Sequence, residues 1–287
     1  MWADVTSAAS GEDGALPGYA RFMTATPTTP APVPELSLGT SAWIPGPRQV
    51  LREALMLTRL PRGVAGVLWR CVRPDVAVHV VEEIGDHRDL PPRMTDATDR
   101  DQPLEAGYGP ALHREFRVRV VGAQRGAAEL VDALARNMNR AVVPGVARFD
   151  YVAASGAMAV GEELVVRMPG PWDGPVRVLH RDPTSFLLGT LAGHLEAGQI
   201  EFAARDLVDG DLEFAITTWA RAGDPVADVL YSRLGLAKQI QYLLWVEFCV
   251  RAAALAGGRT PGGVTVRTRT VAWPDEISSS QISSQTV

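Results

Sequence analysis

The second half of the chain alternates apolar and polar residues with the two-residue period of β-strands. In "REFRVRVVG", Phe116, Val118 and Val120 fall on one face, and Arg117 and Arg119 fall on the other. The further strand candidates are "ARFDYVAA", "EELVVRM", "VRVLHR", "SFLLGTL", "QIEFAAR" and "DLEFAITTW". Turn-forming segments such as "RDPT" and "LVDGD" separate them, and this spacing leaves no room for crossover helices. The pattern therefore predicts an antiparallel meander.

Two segments follow the helical period instead. "GAAELVDALARNMN" predicts a short amphipathic helix between the first strands. A longer helix is predicted from about Asp224 to Ala256, with Asp224 as its N-cap and Gly257 and Gly258 where a C-cap would lie. This element order is typical of an α+β helix-grip fold, in which a curved antiparallel sheet surrounds a long C-terminal helix and commonly leaves a cavity beside it.

Composition divides the chain into four regions. Residues 1–35 are rich in Ala, Thr and Pro, and residues 258–287 end in "SSSQISSQTV", so both are predicted to be flexible tails. Residues 36–109 are predicted to form a helical adjunct, a strand at "DVAVHVVEEI" and a Pro-rich lead-in that runs as a surface loop. Residues 110–257 are predicted to form the helix-grip domain.

Overall composition excludes several classes of protein. The 287 residues are 46% hydrophobic and 21% charged, which is ordinary for a soluble globular protein. A formal net charge of -5 argues against a nucleic-acid partner, since a phosphate-binding face normally leaves a basic excess. The two cysteines offer no disulfide framework, and no apolar run is long enough to span a membrane. We therefore expect a cytoplasmic protein.

Several segments resemble those of the DUF1990 family of uncharacterised proteins. They are "HREFRVRV", "VVRMPGPWDGPVRVL", "PTSFLLGTLAGHLEAGQIEF" and "LAKQIQYLLWVEFC". The resemblance covers roughly His113 to Ala256, and the Pro-rich lead-in before it is a candidate extension. It implies a fold like that of the START and polyketide-cyclase superfamily, in agreement with the element order, and it implies no particular reaction.

The box "GHLEAGQIEF" carries the first candidate site. His194, Glu196 and Glu201 are candidates for a catalytic acid/base set or for metal ligands. Gly193 and Gly198 also bracket a hairpin loop, in which His194 and Glu196 would simply hydrogen-bond the backbone and hold the turn. The sequence favours this second interpretation but does not exclude the first.

The predicted long helix carries the second candidate site. Lys238 and Gln241 fall within or beside its apolar face, where unpaired polar groups cost on the order of 1–3 kcal/mol each. A ligand-filled pocket facing the sheet would satisfy them, as would a snorkelling lysine with a backbone-bonded amide. The residues predicted to line such a pocket are Phe186, Trp219, Tyr231, Lys238, Gln241 and Trp245, with Trp172 and His194 near its mouth.

Other recognisable motifs are absent from the sequence. It has no phosphate-binding glycine loop, no nucleophile elbow and no zinc-binding helix, so we predict no cofactor and no metal. We expect the protein to bind a small, largely apolar molecule. The alternatives are a cyclase or hydrolase that uses His194 or Glu201 as general acid/base in the same cavity, and a protein-interaction module with a filled core. The sequence leaves the oligomeric state open.

Overall fold

The computed structural model describes residues 76–94, 97–152, 158–167, 173–223 and 236–273, with side chains of the last range described from residue 242. The chain divides into the units Met1–Ile44 and Pro45–Val287, and every described residue belongs to the second. The predicted N-terminal tail and the helical part of the adjunct lie outside the described residues.

The described residues form one curved sheet of nine strands. In chain order the strands are β1 (Val78–Ile84), β2 (Tyr108–Val120), β3 (Arg148–Tyr151), β4 (Glu163–Arg167), β5 (Asp173–Arg181), β6 (Ser185–Thr190), β7 (Glu196–Asp206), β8 (Leu212–Ala222) and β9 (Val264–Val271). Their order across the sheet is β1-β9-β2-β8-β7-β6-β5-β4-β3. Neighbours pair antiparallel except β1 and β9, which are parallel. The predicted antiparallel sheet is therefore confirmed.

Alternation along the strands divides the sheet into two faces. In β8, Leu212, Phe214 and Ile216 are at most 1% exposed, whereas Glu213 and Ala215 between them are half-buried. Because successive side chains point to opposite faces, the apolar set covers one face, which we call the concave face. The opposite side is the convex face.

Two α-helices of the described part of the chain pack against the concave face, α1 (Ala127–Arg136) and α2 (Leu236–Leu255). Leu130 and Leu134 of α1 and Phe248 of α2 are fully buried in the same apolar core as the strands. The predicted start of α2 at Asp224 lies outside the described residues. Its end agrees with the expected glycine cap, since Gly257 has φ +79° and its N–H donates to the Ala254 carbonyl over 3.0 Å.

The sequence boundaries of the domain were wrong at both ends. Residues 258–287, predicted to be a flexible tail, contain β9, which lies between β1 and β2 in the sheet. The strand predicted in the adjunct is present as β1, but it pairs with β9 as part of the main sheet. Both errors have one cause: the two strands are far apart in sequence and pair only in the folded chain, so no local turn signal connects them.

The Pro-rich lead-in also differs from the predicted surface loop. We use this name for residues 85–107, of which 95 and 96 are not described. Asp89, Pro92 and Gln102 of this segment hydrogen-bond through their backbone carbonyls to side chains of the sheet. The lead-in therefore packs onto the sheet. No described helix is both long and apolar enough to cross a membrane.

Replacing Val266 with Ala tests the placement of β9. Val266 is 0% exposed, so removing two methyl groups should lower the free energy of unfolding by about 2 kcal/mol. The matched control is Val208→Ala, since Val208 is 111% exposed and its truncation should change stability by less than about 0.5 kcal/mol. Urea denaturation measures both. Equal, small effects of both substitutions would contradict the placement of β9 in the sheet.

Candidate functional site

Strand register arranges the concave face in rows that run across the sheet. One row, which we call the aromatic row, contains Val266, Phe116, Ile216, Phe202 and Phe186. The next row contains Thr268, Arg114, Thr218, Ile200, Leu188 and Val178, and we call it the mixed row. The two rows differ sharply in polarity, although they are adjacent.

The aromatic row is filled by its contacts with α2. The Phe202 ring stacks on Phe186 at 4.9 Å between centroids and meets Trp245 at 5.6 Å and Phe248 at 5.3 Å. Phe186 is 0% exposed and Trp245 is 8% exposed. Aromatic side chains therefore fill the space between sheet and helix at this row. The indole N–H of Trp245 is buried there without a hydrogen-bond partner.

Arg114 distinguishes the mixed row. It has the same parity along β2 as Phe116 and Val118, so its side chain lies on the concave face, half-buried. Its Nε donates to the Thr268 hydroxyl over 3.1 Å. No carboxylate of the described residues forms an ion pair with its guanidinium.

Arginines on the convex face behave differently. Arg117 bonds Glu115 at 2.9 Å, Arg119 bonds Asp211 at 2.8 Å, and Arg269 bonds Glu83 at 3.0 Å. Acidic partners are therefore abundant on the convex side of the sheet, while the guanidinium of the mixed row bonds a hydroxyl and no carboxylate of the described part of the chain. This contrast makes Arg114 the strongest candidate for a ligand-binding residue.

Tyr242 of α2 lies close to Arg114. Its ring centroid is 6.1 Å from that of Phe116, the neighbour of Arg114 on the concave face. Burial raises the pKa of the Tyr242 hydroxyl, and the positive charge of Arg114 acts in the opposite direction. A phenol, a guanidinium and the hydroxyls of Thr218 and Thr268 thus occupy one part of the concave face.

The structure separates the residues predicted to line a pocket. Phe186 and Trp245 meet in the aromatic row, as described above. Lys238 and Gln241 lie in the first part of α2, before Tyr242, but their side chains are outside the described part. Tyr231 and Trp172 lie outside the described residues altogether.

Trp219 does not line the space between sheet and helix, contrary to the prediction. It has the opposite parity to Ile216 and Thr218 in β8, so it lies on the convex face. There it stacks on His113 at 5.3 Å, and its indole N–H donates to the Asp89 carbonyl over 2.9 Å. The prediction failed because an aromatic residue in a strand was assumed to face the helix, whereas the lead-in buries this one on the other side.

His113 is the centre of a polar cluster beneath the lead-in. It is 8% exposed, with Nδ1 3.6 Å from Asp89 and Nε2 3.5 Å from Glu115. Arg269 lies 3.3 Å from each of the same carboxylates. Burial lowers the pKa of the imidazole, which opposes the effect of the two carboxylates. This cluster joins the lead-in to the sheet through charge.

A cleft of about 130 Å³ lies between residues 90–94 and residues 103–105 of the lead-in. It is lined by Leu90, Pro91, Pro92, Arg93, Met94, Pro103, Leu104, Glu105, Gln199 and Trp273. Gln199 is 7% exposed and donates to the Pro92 carbonyl over 3.3 Å, so the lead-in uses this amide for its own attachment. The cleft belongs to the packing of the lead-in on the convex face.

Glu201 also lies on the convex face. Its neighbours across the ladder are Leu187 and Thr217, and it has the opposite parity to Phe202. Burial raises the pKa of its carboxyl, and the negative charge of Asp182 adds to the effect. Glu201 therefore does not face the space next to α2, where a catalytic role had been predicted for it.

His194 holds the loop between β6 and β7. Its Nδ1 lies 2.9 Å from the Glu196 backbone nitrogen and 3.0 Å from the Glu196 carbonyl oxygen, so the ring is held by the backbone of that residue. The Gln102 amide donates to the carbonyls of His194 and Glu196 over 3.0 and 3.2 Å. Gly193 takes φ +94°, which is a backbone conformation that favours glycine. These contacts are those of a hairpin closed by its own polar residues.

The His194 ring reaches the rim of the concave face. A Cβ on Gly174 would lie 2.9 Å from His194 Nε2 and 3.4 Å from Val166 Cβ. Gly174 shares its parity with the buried Val176 of β5, so the ring covers the concave side of that strand. His194 and Glu201 are therefore on opposite faces. Within the described residues, no group of three or more His, Cys, Asp and Glu side chains is suited to hold a metal ion.

Stability should depend on pH through His194. Burial lowers its pKa from 6.5 to about 4, so the unfolded chain takes up this proton before the folded hairpin does. Stability should consequently fall as the pH drops from 6.5 towards 4. We expect His194→Asn, whose Oδ1 can still accept the Glu196 N–H, to remove up to about 2 kcal/mol of the loss between about pH 7 and pH 5. Urea denaturation of both proteins at the two pH values measures the difference, and equal losses would contradict the assignment.

Three solved structures are similar to about half of this chain. A protein from Thermobifida fusca, solved by NMR, is 16% identical and covers 50% of this chain and 94% of its own, with a TM-score of 0.36. A conserved protein from Geobacillus kaustophilus is 14% identical over 50% of this chain and 95% of its own, also with a TM-score of 0.36. A norcoclaurine synthase point mutant from Thalictrum flavum is 12% identical over 48% of this chain and 97% of its own, with a TM-score of 0.34.

No curated protein matches the sequence. A family model described as "Domain of unknown function (DUF1990)" matches residues 95–247, which begins within the lead-in and ends in α2. The match starts earlier than the segments that carried the resemblance, in agreement with the packing of the lead-in on the sheet. It spans more than half of the chain, and the protein therefore belongs to the DUF1990 family.

Proposed function

We propose that the protein binds a small, largely apolar molecule with an acidic group, in the space between the concave face and α2. The observation that carries this proposal is Arg114, a half-buried guanidinium on the concave face that has no carboxylate partner among the described residues. In this proposal the fold acts as a START-like helix-grip, with α2 closing the space over the mixed row.

Electrostatics favour an acidic ligand. A charge beside apolar surface loses part of its hydration, and this loss is offset only by a partner of opposite charge or by hydrogen bonds. Among the residues that the structure describes, the Arg114 guanidinium bonds the Thr268 hydroxyl, although carboxylates are plentiful on the convex face. A carboxylate or sulfonate on a ligand would complete the guanidinium with charge-assisted hydrogen bonds.

The remaining surface favours an apolar body. Ile200, Leu188 and Val178 continue the mixed row away from Arg114, and the aromatic row forms a floor beside it. We propose that Phe186 and Trp245 belong to this floor, and that the helix-side and mouth residues of the pocket are Tyr231, Lys238, Gln241, Trp172 and His194. At neutral pH the His194 imidazole, with its pKa lowered to about 4, would be uncharged at the mouth of the pocket.

Geometry favours binding over catalysis. His194 lies at the concave rim with Nδ1 committed to the hairpin, while Glu201 lies on the convex face. Two groups on opposite faces of a sheet cannot act on one reacting atom, because general acid/base catalysis needs both within hydrogen-bond reach. An acid/base role for His194, Glu196 or Glu201 has no such arrangement to support it.

Replacing Arg114 with Met tests the proposal, with Arg117→Met as the matched control on the opposite face of the same strand. The probes are anilinonaphthalene sulfonate, which is an apolar anion, and neutral N-phenylnaphthylamine. We expect Arg114→Met to weaken binding of the anionic probe about 10- to 100-fold, the value of a charged hydrogen bond, and to leave the neutral probe within about threefold. Fluorescence titration measures both dissociation constants.

The control separates charge from position. Arg117→Met removes the same charge from an exposed site that already pairs with Glu115, so both probes should bind as they do to the unmodified protein. Equal weakening by the two substitutions would indicate a general electrostatic effect and overturn the role of Arg114. Failure of both probes to bind would overturn the proposed ligand class.

A further inference from the structure

β1 forms one outer edge of the sheet. The Ala77 carbonyl accepts the Val264 N–H, and the Gly85 N–H donates to the Thr270 carbonyl, each over 2.9 Å. In a parallel pair of strands, every second residue directs both its N–H and its C=O group towards the neighbouring strand. The odd-numbered residues from 77 to 85 therefore bond β9, and Val78, Val80, Glu82 and Ile84 direct their N–H and C=O groups outward. No strand of the described residues pairs with this edge.

This edge carries exposed apolar side chains. Val80 is 55% exposed, Val81 is 36% exposed and Ile84 is 96% exposed. Natural proteins usually protect such an edge with short strands, prolines or bulges, because free backbone groups beside apolar side chains recruit another strand. β1 has seven residues and contains no proline. The edge is therefore suited to pairing with a further strand.

We propose that the partner is a second copy of this chain, whose β1 pairs antiparallel with the first about a twofold axis at Val81. This register pairs all seven residues, because Val81 is the middle of the strand. It also pairs outward-directed residues with one another, Val80 with Glu82 and Val78 with Ile84 of the other copy. Eight backbone hydrogen bonds follow from these pairs, about two for each facing pair of residues.

Side-chain complementarity supports this register. His79 lies opposite Glu83 of the other copy, and the twofold axis repeats the pair. Val78 meets Ile84, and Val81 meets itself across the axis. An imidazole that donates to a carboxylate and apolar side chains placed directly across a ladder stabilise the pairing, whereas like charges destabilise it.

Neighbouring registers fit less well. An axis at Glu82 would place Glu82 against itself and would pair Val81 with Glu83. An axis at Val80 would place His79 against Val81 and leave Glu83 beyond the paired strand. Either shift by one residue at the axis also reduces the overlap from seven residues to about five. Charge, apolar contact and length therefore select the same axis.

Introducing a positive or a negative charge at position 79 tests the pairing in the full chain. His79→Lys should strengthen self-association and His79→Glu should weaken it about tenfold, because each change alters two facing pairs with Glu83. The matched controls are His87→Lys and His87→Glu, which make the same charge changes at an exposed residue outside β1. Sedimentation equilibrium gives the dissociation constants. Equal changes in the dissociation constant at positions 79 and 87 would show that only the net charge of the protein affects self-association.

Cross-linking tests the axis itself. In a Cys71→Ser background, Val81→Cys should form a disulfide-linked dimer on mild oxidation, because facing residues of a non-hydrogen-bonded pair have Cα atoms about 4.5 Å apart. Val208→Cys provides an equally accessible thiol away from β1 and should remain monomeric.

A backbone change completes the test. Val80→Pro removes an N–H that points outward, so it should abolish the dimer while circular dichroism and the unfolding midpoint stay close to those of the unmodified protein. A monomeric unmodified chain at all concentrations measured, or cross-linking of Val208→Cys as fast as Val81→Cys, would overturn the proposal.

Discussion

The aromatic contact between Phe202 and α2 is the interaction on which the described structure most depends. Phe202 is the central ring of a cluster of four. Its ring contacts Phe186 from the neighbouring strand, and Trp245 and Phe248 from the helix. Buried aromatic pairs contribute both area and geometric preference, so this cluster fixes the height and rotation of α2 over the sheet. The position of Tyr242 near Arg114 follows from it, because Tyr242 is one helical turn before the cluster.

The sheet uses its two faces for different chemistry. The convex face carries ion pairs and the His113 cluster, and the lead-in packs over it through Asp89 and Pro92. The concave face is mostly apolar, and Arg114, Thr218 and Thr268 interrupt it beside the aromatic row. A charge on the apolar side of a sheet is expensive unless it has a purpose or a partner. The contrast between the faces, more than any single motif, identifies the candidate site.

The edges of the sheet depend on the most distant contacts in the chain. β9 pairs with β2 on one side and with β1 on the other. Residues 78–84 are therefore connected to the rest of the sheet through residues 264–271. Closing such a long loop has an entropic cost that only the ladder and the buried valines of β9 offset. The same insertion makes β1 an edge strand of the described sheet and thereby sets which of its backbone groups point away from β9.

Much of the fold was readable from local pattern. Alternation in β2 and β8, the short spacing between strands and the glycine cap of α2 each follow from a period or a turn that lies within a few residues. Even Arg114 could have been found in this way, since it has the parity of Phe116 and Val118 rather than that of Arg117. The family was also readable from short segments of sequence, and the match over residues 95–247 confirms it.

Other features were decided only by the tertiary structure. Period alone states that Trp219 and Glu201 alternate with buried residues, but it does not state that the lead-in covers the convex face and buries Trp219 there. The periodicity of the sequence likewise does not identify the strands that pair with β9. It also does not show that the His194 ring bonds the backbone of its own hairpin. The physical reason is common to all three: a side chain's partner is determined by pairing between distant segments, and the free energy of that pairing is not encoded in any one of them.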